Sequence, residues 1–479
     1  MPLFVASILA VALAQGAGAP PPAAASAQEQ LPAATRLALE QATTAEAAGD
    51  AARAEELLRA ALDGDPRSVA LHVALGRLLY VNGNGAEGLG LLWRATELGP
   101  KDVAAAGTLA DALLAERDFY ESEGDTANAD ANLQRAKEVL DRVKGEPGAS
   151  AADYRTRRVR VLLRVDGGGE EAYALAAGLL DEAPDDLERH ALLNEAAAAG
   201  RSIDAALAWY DAHELEPWVA AWFRAGLFAA RATANYNNFV DDQKARADYV
   251  AAEQQMELAA RANPEFFDAA SERISFYRSW SGWIFHRQER YEEAFDLFIA
   301  AWGRNPANDN AITGVFWICG RWYELGKLEA AREGYRQLCT LAPQRAEFWN
   351  NYALLCRDTG EYEESFKAYR RTLELTPDDP RIVNDCALIL QYHLKRDLDL
   401  AERWYIRAED LARANLAAAV NEGDEGRAAE QRAILGDALV NLARLYGDQG
   451  KLAESAEHWN ELRAVDPTRD ELPENQPQK

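Results

Sequence analysis

The sequence is short of the pairings that catalytic and metal chemistry need. Its four cysteines, Cys319, Cys339, Cys356 and Cys386, lie 20, 17 and 30 positions apart, which gives no CxxC pair and no zinc-ligand spacing. Three sit on apolar stripes beside Ile318, Leu355 and Ala387, and Cys339 follows Leu338, so buried free thiols are expected rather than a disulfide. The six histidines, at 72, 190, 213, 286, 393 and 458, are scattered, with no HExxH. There is no GxSxG elbow, P-loop or dinucleotide fingerprint. The glycine run Gly167 to Gly169 has no Lys-Ser or Lys-Thr after it and no strand before it, so it reads as an inter-helix turn. The acidic NEGDEG stretch at 421–426 lacks the alternating ligands of a calcium loop. No catalytic residue, cofactor or metal is therefore expected.

Positive charge is also scarce: 51 Lys and Arg stand against 78 Asp and Glu, a formal net charge of −27. That balance repels phosphate backbones and anionic membrane surfaces, which excludes nucleic acid as an expected partner and favours neutral or basic proteins and peptides. Long apolar runs are missing apart from the leader, residues 1–27, which carries no charged side chain. Its centre, Leu3 to Ala14, is too short for the roughly 20 apolar residues of a membrane span. With Ala25, Ser26 and Ala27 supplying a small-x-small site before Gln28, it reads as a secretory signal that lacks the usual basic start, and export to a periplasm or cell envelope is expected.

What the chain has in abundance is helical periodicity. Between Ala346 and Pro377, large apolar residues recur at Trp349, Tyr352, Ala353 and Cys356, break at Gly360, and resume at Tyr362, Phe366, Tyr369 and Leu373. Two short amphipathic helices joined by a turn follow, closed by Pro377, which cannot continue a helix. Neither helix buries its stripe alone. Trp349, Ala353, Gly360, Tyr362, Tyr369 and Pro377 stand at the signature positions of the tetratricopeptide repeat (TPR), which this stretch resembles, with Ser365 where that family prefers alanine.

Copies at about 34 residues are then expected. Pro66 and Pro100 are 34 apart, as are Pro343 and Pro377, and Gly49 maps onto Gly83. Further repeats close at Pro184, Pro217, Pro264, Pro306 and Pro467, and two more, at 109–136 and 383–408, lack a closing proline. The resemblance implies an all-α, right-handed TPR-like α-solenoid superhelix of about eleven helix-turn-helix repeats. The expected segments are the signal (1–27), amino-terminal repeats (35–217), repeats with lengthened, aromatic-rich helices (218–306), carboxy-terminal repeats (307–467) and a disordered polar tail (468–479). In the third repeat the glycine is displaced from 117 to Gly124, and seven residues add two helical turns without rotating the apolar face.

In TPR superhelices the first helix of each repeat lines a concave face where extended peptides bind. By that resemblance, Phe276, Trp280, Trp283 and His286 would face the groove from one repeat and Phe316, Trp317 and Tyr323 from the next. Asn350, Asn351 and Arg357 would follow, then Arg381, Asn384 and Asp385, and finally Asn441 and Arg444. Asn351 and Asn441 match an asparagine ladder seen in some peptide-binding members; Trp280, Trp317 and Asp385 replace its other rungs. Asparagine amides both donate to and accept from a peptide backbone, and aromatic and Arg side chains anchor interfaces. The two-carboxylate clamp of chaperone-binding members is absent, with Phe316 and Gly320 at its first Lys and Asn. The expected function is a non-catalytic protein-interaction scaffold that binds an extended peptide or partner helix. The alternative is a structural or accessory subunit of a cell-envelope complex, including saccharide-processing machinery, without such a groove.

Overall fold

A computed structural model describes residues 31–472; the expected leader and residues 473–479 of the expected tail lie outside the described residues. The described residues are helical, with no strand among them, and they divide into two compact units after Ala270. In the first unit the helices are α1 (Ala33–Ala47), α2 (Ala51–Gly64), α3 (Val69–Val81), α4 (Gly85–Leu98), α5 (Val103–Ser122), α6 (Thr126–Arg142), α7 (Ala152–Leu162), α8 (Gly169–Glu182), α9 (Leu187–Ala199), α10 (Ile203–Ala212), α11 (Pro217–Asn237) and α12 (Asp242–Ala262). The second holds most of α13 (Phe267–Arg287), then α14 (Tyr291–Arg304), α15 (Asp309–Glu324), α16 (Leu328–Leu341), α17 (Ala346–Asp358), α18 (Tyr362–Leu375), α19 (Pro380–Leu388), α20 (Leu398–Glu422), α21 (Glu425–Asp448) and α22 (Leu452–Val465). Taken two by two, the described helices make the eleven helix-turn-helix repeats of an all-α solenoid.

One backbone device makes each pair. In every pair the connecting turn holds a residue of positive φ (the α19–α20 turn holds two, Lys395 and Asp397), and in seven of them it is glycine: Gly49, Gly83, Gly124, Gly167, Gly326, Gly360 and Gly450. The left-handed residue lets the next amide turn back onto the helix just ended, as where Glu361 N–H donates to the Cys356 carbonyl at 2.7 Å. Equivalent bonds run from Asp50 to Ala45, Lys327 to Trp322 and Lys451 to Tyr446. In the other four pairs the role falls to Arg201, Phe239, Glu289 and Lys395, residues for which this conformation costs about 1 kcal/mol or more. Gly200, the glycine of its repeat by spacing, is not the left-handed residue; its backbone instead packs on Gly169, where an added Cβ would lie 2.5 Å from the Gly169 carbonyl oxygen. That contact accounts for Gly169, while Gly167 is the left-handed residue of its own turn and an added Cβ at Gly168 would lie 2.3 Å from the Leu162 carbonyl oxygen.

Helix starts follow the closing prolines. Asp102, Asp186 and Asp379 each cap a first helix, with carboxylate oxygens accepting from backbone amides at 2.8, 3.0 and 2.9 Å. The next repeat then reads back on the loop it has left: Trp349 Nε1 donates to the Pro343 carbonyl at 3.0 Å, and Arg407 donates to the Pro377 carbonyl at 2.8 Å. Within a pair, a small residue on the second helix permits close approach. Ser365 is accommodated there because its hydroxyl donates to the Ala353 carbonyl at 2.7 Å, a bond repeated by Ser455 to Ala443 at 2.7 Å.

Lengthened helices appear where the spacing required them. α5 has 20 residues, and α11, α12 and α13 have 21 each. The α11–α12 hairpin is tied by Arg231, which grips Asp248 with two bonds of 2.9 and 2.7 Å and also reaches Asp204. The boundary between the compact units, after Ala270, falls inside the expected middle segment, 218–306. The tail departs from expectation too. Leu472 is fully buried with Ile434, Leu435, Leu439 and Leu462, and Arg469 pairs with Asp437 at 2.6 Å, so the chain is packed through Leu472. All four cysteines are free and buried, as expected.

Replacing Glu289 by Gly should relieve the left-handed strain and raise stability by about 0.5–1 kcal/mol, whereas Gly360→Ala should lower it by about 1 kcal/mol. Denaturant unfolding of the two variants checks this, and shifts of the same sign would reject the account of the turns.

Candidate functional site

The second compact unit carries every residue nominated for the groove, on first helices α13, α15, α17, α19 and α21. They separate by what they touch. On α13, Phe276 meets Trp280 edge-on at 6.0 Å between ring centres, and Trp283 meets the buried Phe298 edge-on at 5.0 Å. Trp283 also donates through Nε1 to Asn310 at 2.9 Å. His286 lies against Trp283 and Tyr291, at 5.2 and 5.6 Å, and its burial holds the imidazole pKa below its ordinary value. These four are half-buried and tied into the packing of their own repeat and, through Trp283, of the next.

On α15, Phe316 turns into the core against Tyr335 and Phe348, while its neighbour Trp317 is 59% exposed and Tyr323 44% exposed. Leu325, just past the helix end, is exposed beside them. On α17, Asn350 and Asn351 are half-buried, Asn351 lies against the Tyr335 hydroxyl, and Arg357 pairs with Asp358 at 3.0 Å.

The carboxy-terminal rungs depart from the expectation of free amides. Asn384 and Asn441 are each only 7% exposed, and Asn441 donates to Asn384 across α19 and α21 at 3.0 Å. The Tyr392 hydroxyl donates to the Asn441 carbonyl oxygen at 3.4 Å. These amides satisfy one another and join two first helices. Arg381 is exposed but committed to Glu430, and Arg444 is exposed.

Asp385 is the residue that this arrangement leaves over. It follows Trp317 and Asn351 at successive intervals of 34 positions, so the three share one register on α15, α17 and α19. Among the described residues its carboxylate has no hydrogen bond and no ion pair, because the nearby guanidinium groups, Arg357 and Arg381, are committed to Asp358 and Glu430. Burial pushes the Asp385 carboxyl up to about 7, Asp437 and Asp379 push in the same direction, and Arg357 and Arg381 only partly oppose them.

Sequence reasoning missed one feature. A cavity of about 410 Å³ lies between the loop closing the ninth repeat and the long α20–α21 hairpin, lined by Asp378, Asp379, Arg381, Asn415, Gln431 and Ile434, among others. Its signal was length alone: α20 and α21 run 25 and 24 residues, well beyond an ordinary repeat helix. Which side chains that extra length brings to the loop is set by packing, not by spacing.

Among the described residues no group of three or more His, Cys, Asp or Glu could hold a metal, and no helix is long and apolar enough to cross a membrane. Two models of the tetratricopeptide repeat family match residues 45–113 and 323–380. The chain is a tetratricopeptide-repeat protein.

The first match falls in the first compact unit of this TPR protein, and the second contains Asn350, Asn351 and Arg357. Protein O-mannosyl-transferase TMTC1 of Homo sapiens is 29% identical over 115 residues, which are 24% of this chain and 13% of the human protein. The chain thus matches only a small part of that relative's length. Among solved structures, the C-terminal part of a TPR repeat-containing protein from Cytophaga hutchinsonii aligns with 61% of this chain and 100% of its own, at 14% identity and a TM-score of 0.35. The structure of Naa15/Naa10 bound to HypK-THB covers 91% of this chain and 64% of its own, at 15% identity and a TM-score of 0.38. The repeats of this chain are those of a protein-interaction scaffold.

Asp385→Asn tests the electrostatics of the site. The folded-state pKa lies above the unfolded value of about 4, so the proton stabilises the fold: this contribution is complete below about pH 4 and is lost as pH rises through about 7. Asparagine cannot ionise. The variant should exceed the wild type by about 1–3 kcal/mol at pH 8, solvent access to the side chain setting the lower figure, and the two should converge near pH 4. Chemical denaturation at the two pH values measures it, and a pH-independent difference would show that the fold does not raise the Asp385 carboxyl.

Proposed function

We propose that this TPR protein is a non-catalytic scaffold that holds an extended peptide, or a helix of a protein partner, along the first-helix face of its second compact unit. The observation that carries the reading is the aligned series Trp317, Asn351 and Asp385: an exposed aromatic, an amide and a carboxylate without a partner, at one repeat position. An exposed Trp offers a large apolar anchor at little entropic cost, and Asn351 offers both a donor and an acceptor to a peptide backbone. Tyr323, Asn350 and Arg357 extend that surface. Phe316, Asn384 and Asn441 support it from within, and Phe276, Trp280, Trp283 and His286 form the packed floor of its first repeat. The acidic balance of the chain favours neutral or basic partners over nucleic acid. The leader at 1–27 favours export to a periplasm or cell envelope, with Gln28 as the mature amino terminus.

A second reading, a structural subunit that docks by its turns, is favoured by the exposed Phe239 and Val240 in the turn joining α11 and α12. Peptide selection against the full chain separates the two. Peptides so enriched should bind the wild type and lose at least tenfold in affinity to a Trp317→Ala, Asn351→Ala variant by fluorescence anisotropy, while Phe239→Ser leaves them unchanged. Equal binding to wild type and the double variant would move the site off this face.

A further inference from the structure

The cavity between the loop at 376–381 and the α20–α21 hairpin is not part of the aligned series, yet it adjoins it. Arg381 and Asp385 stand four residues apart on α19, one turn along the same helix face. From the geometry, and building on the scaffold reading above, we infer that this cavity is a socket for an arginine side chain of the bound partner.

Four observations converge on that class of ligand. First, Gln431 on α21 lines the cavity, is only 8% exposed, and its side-chain oxygen Oε1 is buried with no hydrogen-bond donor. An unsatisfied buried acceptor costs about 1–3 kcal/mol, which a turn of the Gln431 side chain toward an incoming N–H in the cavity would recover. Second, the loop adds acceptors from the opposite side. Asp379 uses one oxygen to cap α19, at 2.9 Å from the Arg381 amide, and Asp378 is met only by Arg407, at 3.5 Å. Third, the cation in the lining is neutralised, since Arg381 is committed to Glu430, so the socket does not repel a second guanidinium. Fourth, the same loop already receives an arginine from within the chain, where Arg407 donates to the Pro377 carbonyl at 2.8 Å.

Acceptors on two sides of a cleft suit a planar group with five N–H donors better than an ammonium point charge or an anion. A cavity of about 410 Å³ lies within the ordinary range for small ligand sites, so a guanidinium with its stem fits. The charged groups facing Asp385 across the neighbouring helices are Arg357 on α17, Arg381 and Asp379 at the start of α19, and Asp437 on α21. A cation seated at the socket would therefore also offset the carboxylate that these groups leave unpaired.

The test uses the full chain with Nα-acetyl-L-arginine amide, set against its neutral isostere Nα-acetyl-L-citrulline amide, titrated at low salt by saturation-transfer NMR. The arginine amide should bind at least fivefold more tightly than the citrulline amide and weaken as salt is raised. Binding should fall at least fivefold in Gln431→Leu, and likewise in an Asp378→Asn, Asp379→Asn variant, in which asparagine retains the helix cap. Trp317→Ala, Asn351→Ala should leave it unchanged, so failure of the aromatic face and failure of the socket read out separately. Equal binding of the two amides, or wild-type binding by both socket variants, overturns the assignment.

Discussion

Among the described residues, every one of the eleven repeats depends on reversing direction at its own turn without leaving backbone groups unsatisfied. A helix of 13 or 14 residues, the commonest length here, buries only one stripe, and that stripe needs a neighbour at once. The left-handed turn supplies it. By closing the bond from the residue after the turn to the last turn of the helix before, as Glu361 does to Cys356, it fixes the angle at which the second helix returns. The small residue on the second helix then becomes obligatory, because the turn brings the two helices together at that level. Ser365 shows the tolerance of the rule: a hydroxyl is admitted where it finds the Ala353 carbonyl.

This dependence explains what could be read from sequence and what could not. Repeat number, the lengthened α5 and α11 to α13, and the buried cysteines all follow from period and polarity, which are local properties. The left-handed turn has a signal in the sequence where glycine takes it, as at Gly49, Gly83, Gly124 and Gly360, and none at Arg201, where the adjacent Gly200 serves its contact with Gly169. Leu472 was missed because one apolar residue has no period. The groove residues were legible only as to helix. Register put Asn384 and Asn441 on first helices, but whether an amide there faces solvent or its counterpart depends on how closely two first helices approach, which no single repeat encodes.

The electrostatics point the same way. The protein is strongly acidic, yet in the second compact unit its arginines are largely committed: Arg357 to Asp358, Arg381 to Glu430, Arg407 to the Pro377 carbonyl, Arg469 to Asp437. Exposed pairs of this kind contribute little to stability, typically under 1 kcal/mol each. Their consequence is instead one of availability, since a paired guanidinium no longer neutralises a carboxylate elsewhere. Asp385 is left without a partner by this allocation rather than by distance from positive charge.

The same residue type therefore does opposite work at neighbouring positions. Asn384 and Asn441 spend their amides on each other and hold α19 to α21; Asn351, one repeat earlier, lies against a tyrosine hydroxyl with part of its side chain still open to solvent. A solenoid permits this because each repeat contacts only its neighbours, so one pair of first helices can close over its polar groups while the next leaves them available. The tenth repeat does both at once. Adjacent residues on α19 point to different fates, Asn384 sealed and Asp385 unpaired, and a helix places such neighbours about 100° apart around its axis. A single turn of α19 thus separates the part of the molecule that must stay closed for the fold from the part left to meet something outside it.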